Sequence, residues 1–142
     1  MSARERRVQR LRSIEGTRAL VKERATAEAR QALETRVEAV KLAEEALETS
    51  CNQSYEQISV EDLELASLHR LTLRRRVVRA QAAEDAARLE VRAREKALVE
   101  ARMAERRMEI LLEGFERAGQ ARERKEERRA TDEHASRKTG SS

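Results

Sequence analysis

Between Thr49 and Ser59 the chain reads TSCNQSYEQIS, the one stretch in which helix-favouring residues give way to a cluster of Ser, Asn and Thr. Such side chains compete with a helical backbone for its own hydrogen bonds. Elsewhere the sequence contains no proline, and the arm before this stretch carries a single glycine, Gly16, at a cost of about 1 kcal/mol against alanine. Two long unbroken arms around one break leave few folds open. The spacing predicts a first helix over about 3–49, a turn over about 50–59, a second helix over about 60–136 and a frayed tail over 137–142. Ser59-Val60-Glu61-Asp62 reads as an N-cap with an acid three residues on, close to a capping box, and sets the second start near Val60.

Composition decides what those helices are for. Charged residues make up 41% of the chain and aromatics 1%, so no thick apolar core can be built. Leu, Ile, Val and Phe amount to about 19%, at the edge of the range typical of disorder. Disorder, however, goes with a large net charge and with enrichment in proline, glycine and serine. Here 31 Lys and Arg nearly balance 27 Asp and Glu, and the bulk is Ala, Glu, Arg and Leu. That mixture belongs to long helices and coiled coils. The expected fold is all-α: an antiparallel two-helix coiled-coil hairpin with a longer second helix, forming a single domain over 1–142.

In the first arm the apolar positions run Leu11, Ile14, Val21, Ala25, Ala29, Leu33, Val37, Val40 and Leu47. Their excess of four-residue steps predicts shallow supercoiling. In the second arm Leu63, Leu68, Leu71, Val78, Ala82, Leu89, Val91, Leu98, Met103, Met108, Leu112 and Phe115 fit no single heptad register, so the stripe is expected to drift. Glu84–Arg88, Glu90–Arg94 and Glu113–Arg117 have the spacing of helical ion pairs. A turn centred near Tyr55 places residue i opposite roughly 110 − i. Glu34 and Glu38 then lie near Arg70, Arg74, Arg75 and Arg76, and the second helix outruns the first by ~40 Å. On that register EILLEGFERAG, Glu109 to Gly119, begins where its partner ends. It either clasps the N-terminus through Val8 and Leu11 or meets another protein.

No constellation of catalytic residues is visible, so the chain is expected not to be an enzyme and to need no cofactor or metal. His69 and His134 are far apart and lack metal-ligand spacing. No glycine-rich loop precedes Lys-Ser or Lys-Thr, and Cys51 stands alone without a base or a pocket. A lone cysteine, the lack of a continuous apolar run near the start and the lack of a ~20-residue apolar span predict a cytoplasmic chain. RERRVQRLR and RLTLRRRVVR are locally basic. Clustered arginine can neutralise phosphates, but no aromatic side chains interleave for base stacking, so nucleic acid is a weaker reading than solvated helix faces or docking on an acidic protein surface.

The last third carries a resemblance. Glu109-Ile110-Leu111-Leu112, the charged run through Arg129, Asp132-Glu133 and Arg137 resemble the ending of the FliJ/YscO (SctO) family, the stalk proteins of flagellar and injectisome type III secretion. Thr131 stands where that family usually has Leu or Met. The resemblance implies two antiparallel helices, the second longer. It also implies a non-enzymatic central stalk that couples the hexameric secretion ATPase to the membrane export gate protein, and association with export chaperones. It places the chain at the cytoplasmic face of the inner membrane through the export apparatus, with no small-molecule substrate. By this analogy Arg4, Arg6, Arg7, Ile110, Leu111, Leu112, Phe115, Asp132 and Glu133 belong to the ATPase end, and Tyr55, Leu68 and Leu71 to the export-gate end. The alternative is a dimeric coiled-coil scaffold whose helices pair between chains, with a basic nucleic-acid-binding helical protein behind it.

Overall fold

A computed structural model describes residues 1–54 and 58–140. It contains two α-helices, α1 (Ala3–Cys51, 49 residues) and α2 (Val60–Gly140, 81 residues), and no strand among the described residues. The two pack against each other as an antiparallel hairpin with the second helix longer. Each start is fixed by a serine. The Ser59 hydroxyl accepts the Asp62 N–H at 3.2 Å, as its spacing predicts. Ser2 does the same for Glu5 at 3.1 Å, a cap that the sequence reading passed over. Helix α2 continues to Gly140, past the Ser136 at which the sequence reading ended it.

The described contacts group the chain into a mid-chain unit, Val21–Val99, and a terminal unit, Met1–Leu20 with Glu100–Ser142. In the mid-chain unit the α1 seam consists of Lys22, Thr26, Ala29, Leu33, Val40, Ala43, Leu47 and Ser50, all buried or half-buried. These positions follow strict three–four spacing, with exposed Arg36 filling the one gap. The α2 side is equally regular: Arg70, Leu73, Val77, Ala80, Glu84, Ala87, Val91 and Leu98. Alternating threes and fours are the signature of a left-handed coiled coil. The expected drift and excess of fours are therefore absent from the packed seam, because several of the positions that suggested them do not pack. Val21, Val37, Leu63, Leu68, Leu71, Val78 and Leu89 are all exposed.

The register also differs from the expected one. The Thr26 hydroxyl reaches the Arg94 carbonyl at 3.2 Å, and Arg70 Nη2 donates to the Ser50 carbonyl at 3.2 Å. Both pairs place residue i opposite ~120 − i, as successive layers of one coiled coil require. Glu34 and Glu38 thus face the region of Ala86 and Ala82, away from the arginine cluster. The seam sets this register: matching Leu47 to Leu73 and Val40 to Ala80 fills each layer. Helix α1 has already ended at Cys51, so the first turns of α2 have no α1 residue opposite them, which explains why Leu63 is exposed despite its seam spacing.

The seam is thin because its residues are small. Alanine and threonine at the contact let the helix axes approach closely. Thr26, 1% exposed, shares its hydroxyl between the Lys22 carbonyl of its own helix (2.8 Å) and that of Arg94 across the seam. Polar contacts line one side of the interface: Arg30 Nη2 with Glu95 Oε1 at 3.0 Å, and Gln81 Nε2 with Glu44 Oε1 at 3.4 Å. Two of the expected intrahelical ion pairs form, Glu84–Arg88 at 2.6 Å and Glu90–Arg94 at 2.7 Å.

Candidate partner-binding surfaces

In the terminal unit the stretch Glu109–Gly119 divides by helical geometry. Met108, Leu112, Phe115 and Gly119 keep the three–four spacing and are half-buried, whereas Ile110 (53% exposed) and Leu111 point off the seam. On the α1 side Val8 is buried and Arg4 lies over the Phe115 ring, 5.7 Å from its centroid, a cation–π geometry. Arg12 reaches Glu109 at 3.6 Å. Of the two readings of this stretch, the clasp on the N-terminus holds for Leu112 and Phe115, because the register is about ten residues further on than expected. Ile110 and Leu111 stay exposed. Of the two N-terminal residues expected to cover it, Val8 does so and Leu11 stays exposed.

Around this clasp the charges are linked. Arg106 Nη1 donates to Glu109 at 3.0 Å and to Glu113 at 3.3 Å, so Glu113 takes Arg106 in place of the expected Arg117. The hydrogen bond to Glu109, followed by the charge of Glu113, holds the Arg106 guanidinium above its ordinary pKa. Arginine is charged at every physiological pH, so the shift alters no charge state there. Glu5, Gln9 and Arg12 face Leu112 and Phe115 across an open cleft. Arg6 donates to the Met1 carbonyl at 3.2 Å, and Arg7 is exposed. Beyond Gly119 every residue through Gly140 is exposed and helical, Asp132 and Glu133 included, a length of about 30 Å at the usual helical rise. The expected overhang exists but is shorter than predicted.

In the mid-chain unit Leu68 (60% exposed) and Leu71 share a shallow depression with Val60, Leu63, Glu64 and Ser67. The sequence reading named only the first two. Val60 and Leu63 carry the same signal, apolar residues on the turns next to Leu68. Tyr55, the third residue assigned to this end, lies outside the described residues. One to two turns further along, Arg75, Arg76 and Arg79 line a cleft with Thr72. With Arg74 they are exposed, and among the described residues none of the four forms an ion pair. Cys51, His69 and His134 are exposed, and no group of three His, Cys, Asp or Glu could hold a metal ion among the described residues. No described helix is long and apolar enough to cross a membrane. Both surfaces therefore offer apolar and charged docking chemistry. Compared with known proteins, the chain matches no family model, no curated sequence and no solved structure.

Proposed function

We propose that the protein is a non-enzymatic stalk that couples a hexameric secretion ATPase to a membrane export gate in a type III secretion apparatus. The observation that carries this reading is the part of α2 beyond Gly119. There a helix with no seam of its own continues as an exposed, charge-dense segment, joined to the motif residues that resemble the stalk family. Two physical features support it. Charges that are already solvated on a slender helix enter a ring lumen with little desolvation cost, because a wet lumen leaves them hydrated. Exposed Ile110 and Leu111 supply apolar purchase in the same unit as that segment, which also holds Arg4, Arg6 and Arg7.

One helix inside a ring of six equivalent subunits contacts them unequally, which biases ring assembly and the order in which sites fire. Leu68 and Leu71 would engage the export gate, with Tyr55 beside them, and export chaperones would bind the remaining helical faces. The protein would work at the cytoplasmic face of the inner membrane. The test is pull-down of the full chain with a type III secretion ATPase of the same organism, together with ATPase stimulation at micromolar concentration. Binding and stimulation are expected, and Ile110→Asp with Leu111→Asp should abolish both. Neither binding nor stimulation by the unaltered chain would end this reading.

A further inference from the structure

Helix α2 carries a second three–four pattern, on the face turned away from the seam. Glu61, Glu64, Leu68, Leu71, Arg75 and Val78 recur at steps of three and four, and all are exposed. They lie across the helix from Leu73, which is 4% exposed, and half-buried Val77. Arg79 flanks the same stripe. The order along it is acid, acid, leucine, leucine, arginine, valine, and with Arg79 beside Val78 it reverses in sign about a point between Leu68 and Leu71.

Such a sequence is complementary to itself when run backwards. Laid antiparallel on a copy about a two-fold axis, Leu68 meets Leu71 of the other chain, Glu64 meets Arg75, and Glu61 meets Val78 and Arg79. Each contact occurs twice, as an isologous interface demands. The geometry therefore points to a second copy of this chain as the occupant: we infer that the protein self-associates through the outer face of α2 between Glu61 and Arg79, hairpin against hairpin. The charges choose among partners. Neither Glu61, Glu64, Arg75 nor Arg79 is engaged in an ion pair among the described residues, although acid–base pairs form elsewhere on both helices. An anionic bilayer or a nucleic acid would be repelled by the acidic half of the stripe, and nucleic acid has no use for the leucines. The depression formed by Val60, Leu63, Glu64, Ser67, Leu68 and Leu71 gives the leucines of the copy a seat.

The contact runs along ~27 Å of helix and is small, so a reversible dimer with micromolar affinity is expected. This inference does not rest on the stalk reading, and a partner that claims Leu68 and Leu71 displaces the second copy. Sedimentation equilibrium of the full chain from roughly 1 to 200 µM reads it, a range that spans micromolar dissociation constants. Two charge-inverted variants sharpen it: Glu61→Arg with Glu64→Arg, and Arg75→Glu with Arg79→Glu. Each should be monomeric alone, at least ~10-fold weaker in self-association, because its stripe carries one sign. Mixed in equal amounts they should form a heterodimer, since every facing pair of charged residues is then opposite in sign. Helicity by circular dichroism reports that each remains folded, and Leu68→Gln with Leu71→Gln gives an independent loss. A chain monomeric throughout, with or without binding to phosphatidylglycerol vesicles, overturns the inference. So does a dimer that all three variants leave unchanged.

Discussion

The mid-chain and terminal units use the same helix-pairing geometry with different materials. In Val21–Val99 the seam buries Thr26, Val40, Ala43, Ser50, Leu73, Val91 and Leu98, whereas among the described residues of the terminal unit only Val8 and Ala19 reach that degree of burial. Seam positions in the terminal unit include Glu5, Arg12, Glu15 and Glu105, and its α2 face is merely half-covered at Met108, Leu112 and Phe115. Regular spacing therefore fixes which residues face each other, while side-chain size and polarity fix how much water they exclude. With apolar burial stabilising at ~25 cal/mol per Å², the terminal unit is the weaker of the two. Local opening begins where buried apolar contacts are few, so amides of Ala3–Leu20 and Glu100–Gly140 should exchange faster than those of Val21–Val99.

The largest expected effect breaks the stronger unit. Leu73 is the most buried aliphatic side chain, and Leu73→Ala removes the contacts it makes in the seam. A loss of about 2–3 kcal/mol is expected, the low end for buried leucine because a two-helix seam lies close to solvent. Urea unfolding followed by circular dichroism measures it. A loss under about 1 kcal/mol would mean that the mid-chain seam is not what holds the helices together. Next in size is Thr26→Leu. This site admits no extra volume, because the hydroxyl already bridges to the Arg94 carbonyl. Overpacking should cost about 1–3 kcal/mol, and hydrogen exchange should report the loosening in Val21–Val99 first.

Thr26 also shows how far the sequence could be read. Two long helices, the cap at Ser59 and the Glu84–Arg88 and Glu90–Arg94 pairs follow from local rules of propensity and spacing, and those rules need no partner. The buried face does not, because hydrophobicity is a poor guide when a seam is built from alanine, threonine and serine. Thr26 and Ser50 carry no apolar signal and Ala43 a weak one, yet all three are more buried than Leu33 or Leu47. Leu68, Leu71 and Leu89 carry a strong one and face outward. Mixing the two sets produced the apparent drift and, with the turn taken as the centre of symmetry, a register about ten residues short. The same error hid the division of Glu109–Gly119, whose seam spacing at Met108, Leu112, Phe115 and Gly119 is legible once small residues are admitted.

Glycine offers a way to strengthen the weaker unit without touching its contacts. An added methyl at Gly114 or Gly119 meets no atom within 4 Å, and both positions lie inside α2. Replacing glycine by alanine in a helix interior recovers about 0.5–1 kcal/mol of backbone entropy. Gly114→Ala and Gly119→Ala should therefore each slow exchange in Glu100–Gly140 and leave the Val21–Val99 amides unchanged. Gly16 is a tighter site, where the new carbon would lie 3.3 Å from Glu105 Oε1. That carboxylate ends a flexible side chain that can move aside, so Gly16→Ala should gain less than the other two.

The smallest effect compares one interhelical ion pair from each unit. Arg30 offers Nε and Nη2 to a single oxygen of Glu95 at 3.3 and 3.0 Å, with both side chains about half exposed. Arg12 approaches Glu109 at 3.6 Å, while the other oxygen of that carboxylate is taken by Arg106. Exposed pairs of this kind contribute about 0.2–1 kcal/mol and fade with salt. A double-mutant cycle, Arg30→Ala against Glu95→Ala, should give a coupling of about 0.3–0.5 kcal/mol at low ionic strength and nearly none in 1 M salt. The Arg12–Glu109 cycle should give less, since Glu109 keeps Arg106 when Arg12 is lost. Equal couplings would show that charge pairing supports both units alike, leaving the burial of side chains such as Leu73 and Val91 as the sole source of the difference between them.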